Sequence, residues 1–290
     1  MKKGLIQGEM INRVRQLSHQ DERISASLMY GSFAKGEGDE FSDIEFSIFV
    51  NDDDYDGFSG EDWVGQIAPL ALYFLNGVGE ARVIFKDLVR GEFSFKKASQ
   101  IPSIRGVKAL MGIPWPAVVV MIDRTGSVQG HLDFLSSKEG LPTTRETMIK
   151  LCLEFIYSML SSFDRLARGE RAHALDSLGS LQVYLLRLLR EHEGKMQQSE
   201  TRPFRNLEKD LLKSEYDRYI ECTGSLHEAS LEHAYWATWS WGKELIAAIA
   251  CRYEIDTHEA LIQALDLRFA CILGRGRPEP ERWEALPGSK

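Results

Sequence analysis

The sequence predicts an α+β protein, a small mixed β-sheet followed by an α-helical bundle, and three observations carry that prediction. Short apolar runs broken by turn residues fill the first 140 residues, and one of these runs alternates with period two. From about residue 144 to Leu273 the apolar residues recur with helical spacing instead. The chain has 290 residues, enough for two domains. The change of character near Leu141-Pro142 sets the expected division: a sheet domain over 1–140, a helical domain over 141–273, and a loose tail over 274–290, where three prolines and three glycines gather.

Each element has its own reason. Strand-like runs are expected at 24–30, 44–50, 82–86, 92–95 and, after Trp115-Pro116, at 117–123, with few helices among them. In the second run Ile44, Phe46, Ile48 and Val50 share one face, which places Asp43 and Glu45 together on the other. Residues 82–86 and 92–95 read as two arms joined by a turn at 87–91, with Glu92 and Ser94 opposite the aromatic face. A capping box of Thr143 and Glu146 opens the helical half, and helices are expected at 144–168, 170–194, 226–253 and 257–273. No internal repeat is present.

The most informative spacing lies between Gly31-Ser32 and Asp43. Asp43 stands twelve positions after Gly31, at the head of the alternating run. Alternate strand residues lie roughly 7 Å apart, so two carboxylates held there repel unless a cation lies between them. A hard divalent ion such as Mg²⁺ takes one or two carboxylates together with nucleotide phosphate oxygens. Gly31-Ser32 offers those phosphates a close backbone approach and a hydroxyl. Lys35 is the phosphate candidate inside the loop, with Lys86, Arg90, Lys96 and Lys97 as further cations nearby.

The pattern Gly-Ser, a gap of about ten residues, then Asp-Ile-Glu on a strand resembles the nucleotidyltransferases of the DNA polymerase β superfamily. The string from Met29 to Phe46, with Val-Ile-Phe-Lys-Asp-Leu-Val-Arg-Gly-Glu-Phe-Ser-Phe at 83–95, is similar to the antibiotic-inactivating lincosamide nucleotidyltransferases. The likeness is tight over about the first hundred residues. It implies a nucleotidyltransferase domain followed by a helical domain, and transfer of a nucleoside monophosphate from Mg-ATP or another nucleoside triphosphate to a hydroxyl of a lincosamide such as lincomycin or clindamycin. It further implies two Mg²⁺ ions on Asp43 and Glu45, the nucleotide on Gly31, Ser32 and Lys35, and Glu92 as the base that takes the hydroxyl proton. The alternatives are an aminoglycoside adenylyltransferase and a catalytically silent, antitoxin-type nucleotidyltransferase-like binding protein. The presence of all three acids speaks against silence.

Composition narrows the partners. A net charge of −8 and a pI near 5.5 argue against nucleic acid, which leaves a small-molecule antibiotic and a nucleotide; a homodimer is compatible with the chain. The longest strongly apolar stretch, 117–122, is too short for a membrane span, so a cytoplasmic protein is expected. Cys152, Cys222, Cys251 and Cys271 are widely spaced and read as buried reduced thiols. The acids from Asp52 to Asp56 start like a calcium loop but reach Trp63 at position twelve. Gly36-Glu37-Gly38 lacks the third glycine of a dinucleotide fingerprint, and the seven histidines show no metalloprotease spacing. In the stretch from Tyr235 to Trp241, Tyr235 and Trp239 share a core stripe with Gly242 and Ile246, which leaves Trp236 or Trp241 to face a cleft or a partner.

Overall fold

A computed structural model describes residues 4–105, 118–136, 144–194 and 203–273. Two compact units divide the chain, Met1–Leu141 and Pro142–Lys290. The expected tail at 274–290 lies outside the described residues, as do Ala117 and Thr143.

The first unit opens with helix α1 (Ile6–Gln20), which the strand-rich expectation for this half does not include. Its buried stripe Met10, Ile11, Val14 and Leu17 packs on the sheet. The sheet contains β1 (Ile24–Tyr30), β2 (Ile44–Val50), β3 (Leu70–Leu75), β4 (Ala81–Phe85), β5 (Arg90–Lys97) and β6 (Val119–Asp123). A single helical turn, α2 (Gly31–Ala34), follows β1, and α3 (Val128–Ser136) follows β6. Strand order is β3-β4-β5-β2-β1-β6. The pair β2–β5 is parallel and the other pairs are antiparallel, so the sheet is mixed, as the α+β expectation requires.

The alternation of β2 sorts its side chains between two faces. Ile44, Phe46, Ile48 and Val50 join Val83, Phe85, Phe93 and Trp63 in the main core under α1. The other face has its own smaller core, Ala26, Leu28, Phe49, Ile101, Ile104 and Val128. Three of the four acids from Asp52 to Asp56 are tied up structurally: Asp52 accepts from the Ser99 amide at 2.9 Å, Asp54 from Asn51 at 3.0 Å, and Asp56 pairs with Lys97 at 3.3 Å.

The second unit is helical: α4 (Arg145–Ala167), α5 (Arg171–His192), α6 (Lys213–Glu221), α7 (Glu228–Tyr253) and α8 (Glu259–Ile272), with one turn at Leu207–Asp210. The capping box sits one residue later than expected. Thr144 caps α4, its hydroxyl accepting the Thr147 amide at 3.1 Å while Thr147 Oγ1 accepts the Thr144 amide at 2.9 Å. Glu146 is released to pair with Lys150.

Aromatic packing organises this core. Phe155 stacks on Trp239, and Phe163 stacks on Phe269 and meets Tyr235 edge-on. Buried polar tips are satisfied: Tyr235 donates to the Ala174 carbonyl at 2.7 Å and Trp239 Nε1 to Asp266 at 2.6 Å. Tyr235, Trp239, Gly242 and Ile246 form the buried stripe the periodicity predicts. Trp241 does not face outward, being 3% exposed with the Arg218 guanidinium 5.0 Å over its ring. Trp236 is half-buried against the same core. Cys152 and Cys222 are buried as expected, whereas Cys251 is exposed and Cys271 half-buried, because α7 and α8 turn those positions away from the packed stripe. No helix among the described residues is long and apolar enough to cross a membrane.

Candidate active site

The motif residues gather at the end of the sheet where β1 finishes and β2 and β5 begin. Gly31 leaves β1 with φ +79°, and the chain then makes the single turn α2. A side chain at Gly31 would fall on the Glu45 carboxylate. Glycine is therefore needed twice here, for its left-handed backbone and for the close approach. Ser32 is the second residue of α2. Its Oγ is buried and has no hydrogen-bond partner among the described residues, an orphan that a ligand oxygen would satisfy. Lys35 is exposed at the end of α2.

Asp43 directly precedes β2 and is half-buried. Glu45, also half-buried, is the second residue of β2 and points away from the main core. The register then carries one row of side chains across five strands. Tyr30 of β1 stands opposite Glu45, Glu45 opposite Glu92 of β5, Glu92 opposite Arg82 of β4, and Arg82 opposite Phe74 of β3. Partners across a ladder share a face. The next position on this face is serine in both central strands, Ser47 opposite Ser94.

Charge in the row is distributed unevenly. Arg82 forms an ion pair with Glu92 and donates from Nη2 to Glu80 at 3.1 Å. Glu80 is held in turn by Asn76, whose Nδ2 donates to it at 3.2 Å and whose Oδ1 accepts the Glu80 amide at 3.0 Å. The Tyr30 hydroxyl has its pKa raised, first by burial and then by the charges of Glu45 and Glu80, with Arg82 and a bond to Ser47 opposing. Those charges thus lie within electrostatic reach of one phenol.

The structure brings Glu45 and Glu92 together beside Gly31 and Ser32, with Asp43 at the head of the same strand. Among the described residues no group of three or more His, Cys, Asp or Glu side chains is arranged to hold a metal ion. The oxygen donors present, Asp43 and Glu45 with the orphan Ser32 hydroxyl, have the chemistry a magnesium ion takes when substrate phosphates complete its shell. Arg82, Glu80 and Tyr30 are missing from the sequence expectation. A signal for Arg82 existed: a hairpin symmetric about Asp87 pairs residue 82 with residue 92.

Residues 144–267 match the family model described as the lincosamide nucleotidyltransferase-like C-terminal domain. No curated protein matches the chain. Among solved structures, an aminoglycoside 6-adenyltransferase from Bacillus subtilis is similar with 14% identity and a TM-score of 0.43, covering 91% of this chain and 97% of its own. A nucleotidyltransferase-like protein from Exiguobacterium sibiricum 255-15 is similar with 12% identity and a TM-score of 0.34, covering 95% and 96%. The family whose C-terminal domain the helical half matches is the one the Gly-Ser and Asp-Ile-Glu motif of the other half resembles.

Proposed function

We propose that this protein transfers a nucleoside monophosphate from a magnesium-bound nucleoside triphosphate, ATP first among them, to a hydroxyl of a lincosamide. The observation that carries the reading is the pairing of Glu45 with Glu92 across the parallel strands, beside the Gly31-Ser32 turn. Asp43 and Glu45 would hold the divalent ion, which when bound supplies positive charge for the phosphate oxygens. Ser32 Oγ, buried and without a partner among the described residues, would donate to the triphosphate, with the Gly31 backbone and Lys35 alongside.

Glu92 has the base's task. It takes the proton of the acceptor hydroxyl, the freed oxygen forms its bond to the α-phosphorus, and the bond from that phosphorus to the bridging oxygen breaks. Pyrophosphate leaves with the electron pair. General-base assistance of this kind is worth about 10²–10⁴-fold.

A lincosamide is preferred over an aminoglycoside as acceptor because apolar side chains flank the row. Phe74, 49% exposed, stands opposite Arg82, and Leu72, 45% exposed, opposite Ile84 on the same face. The protein would act in the cytoplasm, where its nucleotide is supplied.

The test is incubation with Mg-ATP and other triphosphates against panels of lincosamides and aminoglycosides, followed by mass spectrometry of the drug. A mass gain of one nucleoside monophosphate on lincosamides alone is expected. A gain on aminoglycosides alone would reassign the acceptor, and nucleotide binding without any product would mark a silent module.

A further inference from the structure

The ion pair between Arg82 and Glu92 contributes little to the fold. Side-chain exposures of 33% for Arg82 and 29% for Glu92 put it near the surface, where such pairs stabilise little. Its geometry is nevertheless well supported. The guanidinium is forked between two carboxylates, Glu92 on the neighbouring strand and Glu80 at the start of its own strand. Glu80 is itself fastened to Asn76 in the β3–β4 turn by three hydrogen bonds. Arg82 thus has a fixed outer arm and an inner arm on Glu92.

On the opposite side of Glu92 stands Glu45, a like charge across the β2–β5 ladder. Repulsion from that side and the freedom of a long side chain would both turn Glu92 toward solvent if nothing held it. The group that holds it is Arg82.

We propose that Arg82 is a positioning residue of the transfer reaction: fixed by Glu80 and Asn76, it holds the Glu92 carboxylate in the direction from which it receives the acceptor's proton. This rests on the reading of Glu92 as the base. Arg82 touches no reacting atom, so its contribution belongs to kcat. A misplacement of about 1 Å in a reacting group can cost on the order of 10²-fold.

The experiment compares Arg82→Met, Arg82→Lys, Glu80→Gln, Glu92→Gln and the double variant Arg82→Met with Glu92→Gln, in the full chain, with kcat and both KM values measured and melting curves recorded. Arg82→Met should lower kcat by about 10- to 10²-fold with each KM within a few-fold of wild type. Arg82→Lys should recover part of the loss, since a point charge reaches one carboxylate but not both. In the Glu92→Gln background Arg82→Met should cost nothing more, because no base is left to position. Wild-type kcat in Arg82→Met, or a loss fully additive with that of Glu92→Gln, overturns the inference. Should Arg82→Met fail to fold, Glu80→Gln decides: a few-fold lower kcat at unchanged KM supports the role, and wild-type kcat refutes it. The two levels separate cleanly. Near-normal turnover in Glu92→Gln removes the base and Arg82's role with it, whereas an inactive Glu92→Gln beside an unimpaired Arg82→Met removes Arg82's role alone.

Discussion

The place a side chain would take at Gly31 is filled by the carboxylate of Glu45. The glycine of the motif is thus fixed by its own carboxylate partner as much as by any phosphate. Gly31→Ala would have to move Glu45, and it also puts a β-carbon at φ +79°. Stability should fall by about 1–3 kcal/mol, read as a lower melting temperature. Turnover should fall further than stability explains, because Glu45 is displaced.

Asp43→Asn removes a charge from the head of β2 without touching the main core. The melting temperature should stay within a few degrees of wild type. Transfer should drop by at least about 10²-fold, the scale of several kcal/mol of metal-derived charge stabilisation. Full activity of this variant in Mg²⁺ would sink the metal assignment.

Ser32→Ala separates ligand binding from folding. The hydroxyl is buried without a partner among the described residues, and such a group costs about 1–3 kcal/mol. Removing it should leave the free protein as stable or slightly more so. Nucleotide affinity should weaken by up to about tenfold, one hydrogen bond's worth, with acceptor affinity unchanged by calorimetry. Equal losses for both ligands would contradict a phosphate-only contact.

The four thiols should divide by environment. Burial pushes Cys152 and Cys222 up to about 11, so at pH 8 both are protonated as well as enclosed, and the thiolate is the reactive form. A disulfide reagent should modify Cys251 quickly and Cys271 more slowly, leaving Cys152 and Cys222 until the chain unfolds. Fast labelling of all four in the folded protein would contradict the helical core.

What could be read in advance depended on how local the signal was. The bounds of β1 and β2 are legible because turn residues and strict alternation mark them, and Asp43 and Glu45 follow from the same alternation. The stripe of Tyr235, Trp239, Gly242 and Ile246 is legible because helical spacing repeats over one long element. β3 is not, since Leu-Ala-Leu-Tyr-Phe-Leu is apolar at every position and an edge strand need not bury one face. α1 is absent from the expectation although Met10, Ile11, Val14 and Leu17 recur at helical spacing. In the site, Glu92 could be named from the motif, but its pairing with Glu45 is a non-local parallel register that no short spacing encodes. The Arg82 pair depends on where the hairpin centre falls, and the turn placed at 87–91 ends inside β5.

The parallel pairing of β2 with β5 also has a kinetic meaning. β3 and β4 lie between β2 and β5 in the chain, and contacts so distant in sequence form only after the intervening loop closure has been met. Glu45 and Glu92 therefore become neighbours only once that non-local pairing has formed. A nucleotide that needs both would bind no half-zipped intermediate, and its presence would slow unfolding of the whole sheet instead of one loop. Ligand-dependent protection in hydrogen exchange would then spread from β1 through β5 as a single cooperative block.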